Sequence, residues 1–566
     1  MTDIRRTILW VIFGFSLVML WDQWQVYNGR QATFFPSGKP AATAKAPAPA
    51  ASAPAADGVP ATTATVTAAA PGAVPTTGTA TTPAAAPRER ITVSTDVLRV
   101  VFDTEGGTIV HTEFPKLAGD KPGINYVLLD QGPDRVYVAQ SGLIGGDFPT
   151  HKTVMTALPG ERTLKDGANE LAIRFESPVQ GGVKLVKTYT FHRGAYDVAV
   201  RHEVVNTGSA PVTPQLYMQL VRDGNKLPGE SSFYSTFTGP AVYTESHKFQ
   251  KVEFTDIEKN KAEIEKNATS GYIAMVQHYF ASAWLMADGI ARELFVRKVD
   301  NNLYSVGMIS PLPAIAPGQV QARDARFFAG PQEEKMLERV YPGLDLVKDY
   351  GMFAILAKPL YWLLDKLHGF LGNWGWSIVG LVLIIKIAFY WLQAKGYQSM
   401  AKMKAINPKV MALRERLKDN PQQMQQEMMR IYREEKVNPL GGCLPIMVQI
   451  PVFIALYWVL LSSVEMRGAP WVGWIHDLSQ KDPYFILPVV MTLTTLLQTA
   501  LNPVPPDPMQ AKMMWFMPLI FSVMFFFFPA GLVLYWITNN LLSIAQQWLI
   551  NVRMGVPPEF NLPKLR

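Results

Sequence analysis

The sequence predicts a polytopic α-helical membrane protein with six transmembrane helices and a large β-sandwich domain carried outside the membrane. Six apolar segments predict the spans: about 7–24, 374–393, 441–463, 484–501, 513–528 and 531–549. Each is long enough, or nearly so, to cross a hydrocarbon core. Between the first and the others, residues 88–340 alternate apolar and polar as half-buried strands do. The positive charge gathers among the spans, with net +2 over 1–87, −3 over 88–349 and +8 over 350–566. Basic loops between spans give this pattern, and it weakens a nucleic-acid reading of the overall +7.

Composition sets the outer bounds. Of 566 residues, 48% are hydrophobic and 17% charged, against roughly 25% charged in a soluble globular chain. That excludes a disordered, collagenous or disulfide-stapled protein. A mean hydropathy of +0.07 excludes a wholly embedded one. The single cysteine, Cys443, cannot form an internal bridge or a multi-cysteine metal site.

In chain order, residues 1–28 read as an uncleaved anchor with a cytoplasmic N-terminus. Arg5 and Arg6 precede the apolar run, and Trp21, Asp22, Gln23 and Trp24 stand where a signal peptide would carry small residues. Residues 29–87 are Ala, Pro, Thr and Gly without a periodic face, a tether that cannot bury enough surface to fold. Alternation in ITVSTDVLRVVFDTEGG and KLVKTYTFHRGAYDVAVRHEVV, punctuated by Gly106-Gly107, Asp166-Gly167 and Gly181-Gly182, makes 88–340 a large sandwich. Its six histidines show no metal-binding spacing, and no GxSxG, P-loop or GxGxxG is present. A folded spacer or docking module is the expected role, with a glycan-binding or epimerase enzyme as the alternative.

Residues 341–370 carry an apolar stretch, 351–364, interrupted by Lys358 and Pro359. It suits an amphipathic helix lying in the membrane interface. Were it to span, the basic loop 395–436 would face outward, against the excess of Lys and Arg in cytoplasmic loops. With it flat, 395–436 lies inside, 464–483 outside, and the β domain outside. Residues 371–550 then hold five spans, and 551–566 form a short, mildly basic cytoplasmic tail.

Lys386, in WSIVGLVLIIKIAFYWL, is the residue that most invites a function. A lone cation near mid-span costs about 2.5–3.5 kcal/mol on insertion scales. Either its stem snorkels to the interface or the ammonium faces inward among polar side chains. Gln449, Thr492, Thr495, Gln498, Thr538, Asn539 and Asn540 lie on other spans, and no span carries an acidic residue. A hydrated pocket attracting an acidic group from a partner chain fits this set, and interhelical hydrogen bonding accounts for the amides and hydroxyls equally well. The loop 395–437 reads as two helices, 398–417 and 421–437, with Asn420-Pro421 as turn and N1 proline. Its methionines 400, 403, 411, 424, 428 and 429 offer adaptable apolar contact. They form either one face of a solvated hairpin or a surface that captures hydrophobic segments.

The runs GNWGWSIVGLVLIIK, QSMAKMKAINPKVMALRERL, EEKVNPLGGCLPIMVQIPVFIALYW, WIHDLSQKDPYFILPV and FPAGLVLYWITNNLLSIAQQ resemble the YidC/Oxa/Alb family of membrane protein insertases, in its Gram-negative form. The resemblance is dense over about 341–550. It implies a five-helix insertase core around a hydrophilic groove open to cytoplasm and lipid, with a β-supersandwich domain in the periplasm of a bacterial inner membrane. The groove's basic residue falls on Lys386, a position commonly arginine in relatives, so the bidentate fork is lost. Gln449, Tyr535 and Trp536 fall on groove and helix-contact positions, while Gln498, Thr538 and Asn539 extend the polar set. Met400, Met403, Met411, Met424 and Met428 would form the capture hairpin. The implied activity is insertion and folding of nascent membrane proteins, alone or with the Sec translocon and its accessory subunits. The translating ribosome would be a weak or transient partner. No cofactor, no metal, no covalent chemistry and no direct nucleic-acid specificity are expected. The rival reading is a small-anion transporter using Lys386, which lacks the inverted repeat and matched broken helices such proteins carry.

Overall fold

The computed structural model describes residues 88–119, 123–227, 236–417, 420–435, 444–502, 508–555 and 560. The expected anchor, the tether, Cys443 and most of the tail lie outside them. The chain divides into two compact units between Lys348 and Asp349, each taken by itself below.

The β unit is two nine-stranded antiparallel sheets face to face. One runs Arg90–Ser94, Arg99–Asp103, Thr108–Ala118, Asn125–Gln131, Val136–Ile144, Gln215–Asp223, Leu303–Pro311, Arg292–Asp300 and Asn267–Ala268. The other runs Lys248–Lys251, Gly239–Thr244, Tyr272–Val276, Phe280–Leu285, Val320–Pro331, Asp197–Asn206, Val183–His192, Glu170–Glu176 and Thr156–Ala157. The period of two decides the burial: in Glu170–Glu176, Leu171, Ile173 and Phe175 go inward and Glu170, Ala172 and Arg174 outward. Between the sheets Phe102 packs on Tyr189 and Phe175, with ring centroids 4.7 and 5.2 Å apart. Gly106 must be glycine. Its φ is +74°, and a Cβ there would sit 2.4 Å from the His151 carbonyl oxygen.

Two short helices complete this unit, α1 (Phe254–Glu258) and α2 (Glu334–Val340). The boundary expected at 340/341 moves to Lys348. Tyr341, Leu344 and Val347 are buried against Tyr272, Leu285 and Phe328, so the segment after α2 belongs to the β unit. The interfacial helix starts later than 341.

That helix, α3 (Ala354–Leu371), buries Ala357, Tyr361 and Leu364 and exposes the apolar Ile355, Trp362 and Phe370. Gly372, at φ +67°, ends it, and the Asn373 side chain accepts from the Trp376 backbone to start α4 (Trp374–Ala388). Helices α5 (Tyr390–Arg416), α6 (Pro421–Glu434), α7 (Leu444–Ser462), α8 (Ile486–Leu501), α9 (Pro508–Met524) and α10 (Ala530–Arg553) follow. On α4, residues 374, 375, 378, 381, 382, 385 and 386 are buried, while Leu383, Ile384 and Ile387 are exposed. One helical face thus meets protein and the other is an apolar surface suited to lipid.

The span expected over 374–393 is not one helix. It breaks at Phe389, and α4 and α5 meet at 69°. The last residues of that span open α5, which continues without interruption into the hairpin expected to begin at Gln398. Among the described residues no single helix is both long and apolar enough to cross a membrane alone, although the bent pair is. The reason is local. Segment 441–463 counts toward a span only over Gln449–Ser462, segment 484–501 yields a helix of 16 residues, the run at 513–528 ends in a 3₁₀ turn at Phe525–Phe527, and the 24-residue α10 carries a polar stripe.

Candidate functional site

Lys386 resolves the choice between snorkelling and facing inward. Its side chain is turned among helices, with the residue 9% exposed. Nζ donates to Ser543 Oγ on α10 at 2.7 Å and to Gln393 Oε1 on α5 at 3.5 Å. Both partners are neutral, and no described acidic group is bridged to it. An ammonium has three donors, so one remains for something else.

Around this contact the polar side chains form a network. Gln393 Nε2 donates to Gln449 Oε1 on α7 at 3.3 Å, and Gln449 also meets the Tyr535 hydroxyl on α10. Ser543 donates to the Asn539 carbonyl at 2.7 Å and meets the Tyr397 hydroxyl of α5. Four helices are thereby joined through Lys386, Gln393, Gln449, Tyr397, Tyr535 and Ser543. Trp536 packs beside it, 4.7 Å from Phe453 and 4.9 Å from Phe525 between ring centroids.

Not all the expected residues gather here. Thr538 donates to the Leu534 carbonyl at 2.9 Å, satisfying its own helix. Asn540 reaches α8, donating to Thr494 Oγ1 at 3.2 Å and Thr495 Oγ1 at 2.9 Å. Asn539 and Gln498 are half-buried, and no described hydrogen bond joins the Gln498 side chain to the Lys386 network. Gln393, Tyr397, Ser543, Gln546 and Gln547 went unread. For Ser543 and Gln547 the signal was present: Asn540, Ser543, Gln547 and Asn551 repeat at helical spacing along α10, and all are buried.

In the hairpin, Ile406, Val410 and Leu413 form the buried seam of α5. Met400, Met403, Met424 and Met428 are half-buried. Of the five expected capture methionines only Met411 is exposed, at 44%, joined by Met429 at 45%. Two amphipathic helices need an apolar seam, and the other methionines are drawn partly into it. Asn420 caps α6 by accepting from the Gln423 backbone, as the Asn-Pro pair predicts.

The loop 464–483 is ordered by Asp482. Its carboxylate accepts from Trp474 Nε1 at 3.0 Å and from the backbone of Tyr484 and Leu487 at 3.0 and 2.7 Å, closing the start of α8.

The β unit carries a cleft of about 730 Å³ lined by Glu245, Ser246, Glu265, Thr269, Arg292 and Glu293 among others. Arg292 there is committed to the carbonyls of Gly271, Met286, Thr269 and Ala287. The buried histidines are elsewhere. His151 pairs with the Tyr217 hydroxyl and His202 with Ser141 Oγ, inside the sandwich. Lys187, fully buried beside them, donates to the carbonyls of Gly106 at 2.6 Å and Ser141 at 2.7 Å. Burial pushes its ammonium down to about 7 and, with neighbouring cations, the two imidazoles down to about 3.

Comparison with known proteins gives matches along the whole described chain. Residues 90–363 match the family described as YidC periplasmic domain, and 366–556 the family described as 60Kd inner membrane protein. A protein of Cupriavidus metallidurans named membrane protein insertase YidC is 57% identical over 98% of both chains. One of Ralstonia nicotianae with the same name is 55% identical over 98% of both. A solved structure of an active YidC insertase is similar at 18% identity and a TM-score of 0.38, over 81% of this chain and 92% of that one. None of these matches supports a small-anion transporter.

Proposed function

The chain belongs to the YidC family of membrane protein insertases, and from that premise we propose how its own residues do the work. It is an inner-membrane insertase with a periplasmic β domain, acting on membrane proteins without covalent chemistry. The N- and C-termini and the α5–α6 hairpin face the cytoplasm, and the loop closed by Asp482 faces the periplasm. An arriving apolar segment meets Met411 and Met429 on the hairpin. Its polar, outward-going end enters among α4, α5, α7 and α10 and takes the open donor of Lys386. The observation that carries this is a buried ammonium held by two neutral side chains, with no carboxylate bridged to it among the described residues. It suits a transient acidic or carbonyl partner better than a permanent one. The amides of Gln393 and Gln449 shorten the apolar distance the polar end must cross.

The driving force is transfer of the substrate's apolar span into lipid. The membrane potential adds about 2.3 kcal/mol per 100 mV for each acidic charge carried fully outward. The Sec translocon and the translating ribosome enter as partners that deliver substrate.

The test compares Lys386→Ala with Lys386→Arg during depletion of the resident insertase. Alanine lowers growth and insertion, most for substrates with acidic outward-going ends, and arginine retains most of both. Equal insertion by the alanine variant would refute the pairing step.

A further inference from the structure

One turn beyond the Lys386 contact, α10 carries a buried side chain that has no hydrogen-bond partner among the described residues. Gln546 is 9% exposed, and neither its Oε1 nor its Nε2 has a hydrogen-bond partner. Its neighbour Gln547 is different: Nε2 donates to the Leu501 carbonyl and to Asn502 Oδ1, both at 3.2 Å, and so closes the end of α8. Gln546 follows Ser543 by three residues, which places both on one face of the helix. A buried amide left without partners lowers stability, because its groups lose water and gain nothing in return. Leucine or methionine would fill the same space without that cost, so the amide is a group whose partner arrives from outside.

We propose that Gln546 is a second substrate contact of the insertase groove, holding a backbone peptide unit of the passing chain. An amide presents one acceptor and paired donors, which match the N–H and C=O of an extended peptide. The chemistry divides the labour. Lys386 favours acidic or carbonyl groups, while Gln546 accepts any backbone whatever its side chains. It thereby holds polar backbone that has left water and has not yet closed its own helical hydrogen bonds. The inference rests on the groove reading given above, and the experiment keeps the two apart.

Full-length protein in proteoliposomes is given two single-span test substrates, one with an acidic and one with an uncharged outward-going end. Four proteins are compared: wild type, Gln546→Leu, Gln547→Leu and Lys386→Ala. Gln546→Leu lowers insertion of both substrates alike, by about three- to tenfold for the loss of one amide pair. Its melting temperature stays level or rises. Gln547→Leu, which opens the end of α8, lowers the melting temperature and calibrates what a structural amide does. Unchanged insertion by Gln546→Leu overturns the proposal and leaves the amide to water alone. A loss of insertion with a fall in melting temperature like that of Gln547→Leu overturns it too, because Gln546 is then structural. If Lys386→Ala inserts the acidic substrate normally, the groove reading fails on its own, whatever Gln546 does.

Discussion

Acidifying the protein from pH 6.5 to 4.5 should loosen the β unit through two histidines. His151 and His202 lie inside the sandwich, and burial, reinforced by the charge of Lys187, holds both down at about 3, against 6.5 in an open chain. Between those values the unfolded chain binds protons that the folded chain refuses, so stability falls as pH falls. Each histidine contributes about 1.4 kcal/mol per pH unit once below 6.5. For the pair, the two-unit step costs about 4–5 kcal/mol, a large part of the roughly 5–15 kcal/mol that holds a domain together. Lys187 does not act in this window. Its value of about 7 lies below the free amine's 10.5, so it raises stability only as pH climbs from 7 toward 10. The carboxylates of Asp130, Glu176, Glu258 and Glu265, held low chiefly by hydrogen-bond donors, lose their contribution only below the usual carboxylate range. The assay is hydrogen exchange of full-length protein, corrected for intrinsic rates, read on peptides from Val183–His192 and Asp197–Asn206. Opening free energy in those strands should fall by about 3 kcal/mol per unit below pH 6, and His202→Gln should halve the slope. A flat profile from 6.5 to 4.5 would refute the claim that these imidazoles stay neutral when folded.

Two further predictions concern fixed points of the scaffold. Asp482→Ala removes the cap of α8 and the partner of Trp474, and should lower stability by about 1–3 kcal/mol, seen as a lower melting temperature with increased proteolysis in 464–483. Gly106→Ala forces a Cβ against the His151 carbonyl at a positive φ and should cost about 1–3 kcal/mol or more, read as faster exchange in Val183–His192, whose Lys187 bonds the Gly106 carbonyl.

The sandwich was legible because alternation reports burial directly; Leu171, Ile173 and Phe175 point inward as their spacing requires. Lys386 was legible because one cation in an apolar run stands out. Its partners were harder to see. Gln393 lies seven residues on, at the last position of the expected span, and Ser543 is 157 residues away. The break at Phe389 had no signal at all, since neither Pro nor Gly stands there. With neither residue there, the cause lies outside the local sequence. The extension of the β unit to Lys348 was hidden for a similar reason. Leu344 and Val347 are apolar and look like the start of a membrane segment, and only the pocket left by Tyr272 and Phe328 reveals where they go.

The joint at Phe389 has a mechanical meaning. Helix α5 runs unbroken from Tyr390 to Arg416, with Pro408 inside it, so its far end lies roughly 40 Å along the helix from the joint, while Gln393 lies roughly 6 Å from it. Any angular swing about that pivot is therefore scaled down about sevenfold before it reaches Gln393. A rotation that carried the end of α5 through several ångströms would move the contact between Gln393 and Lys386 by a fraction of one.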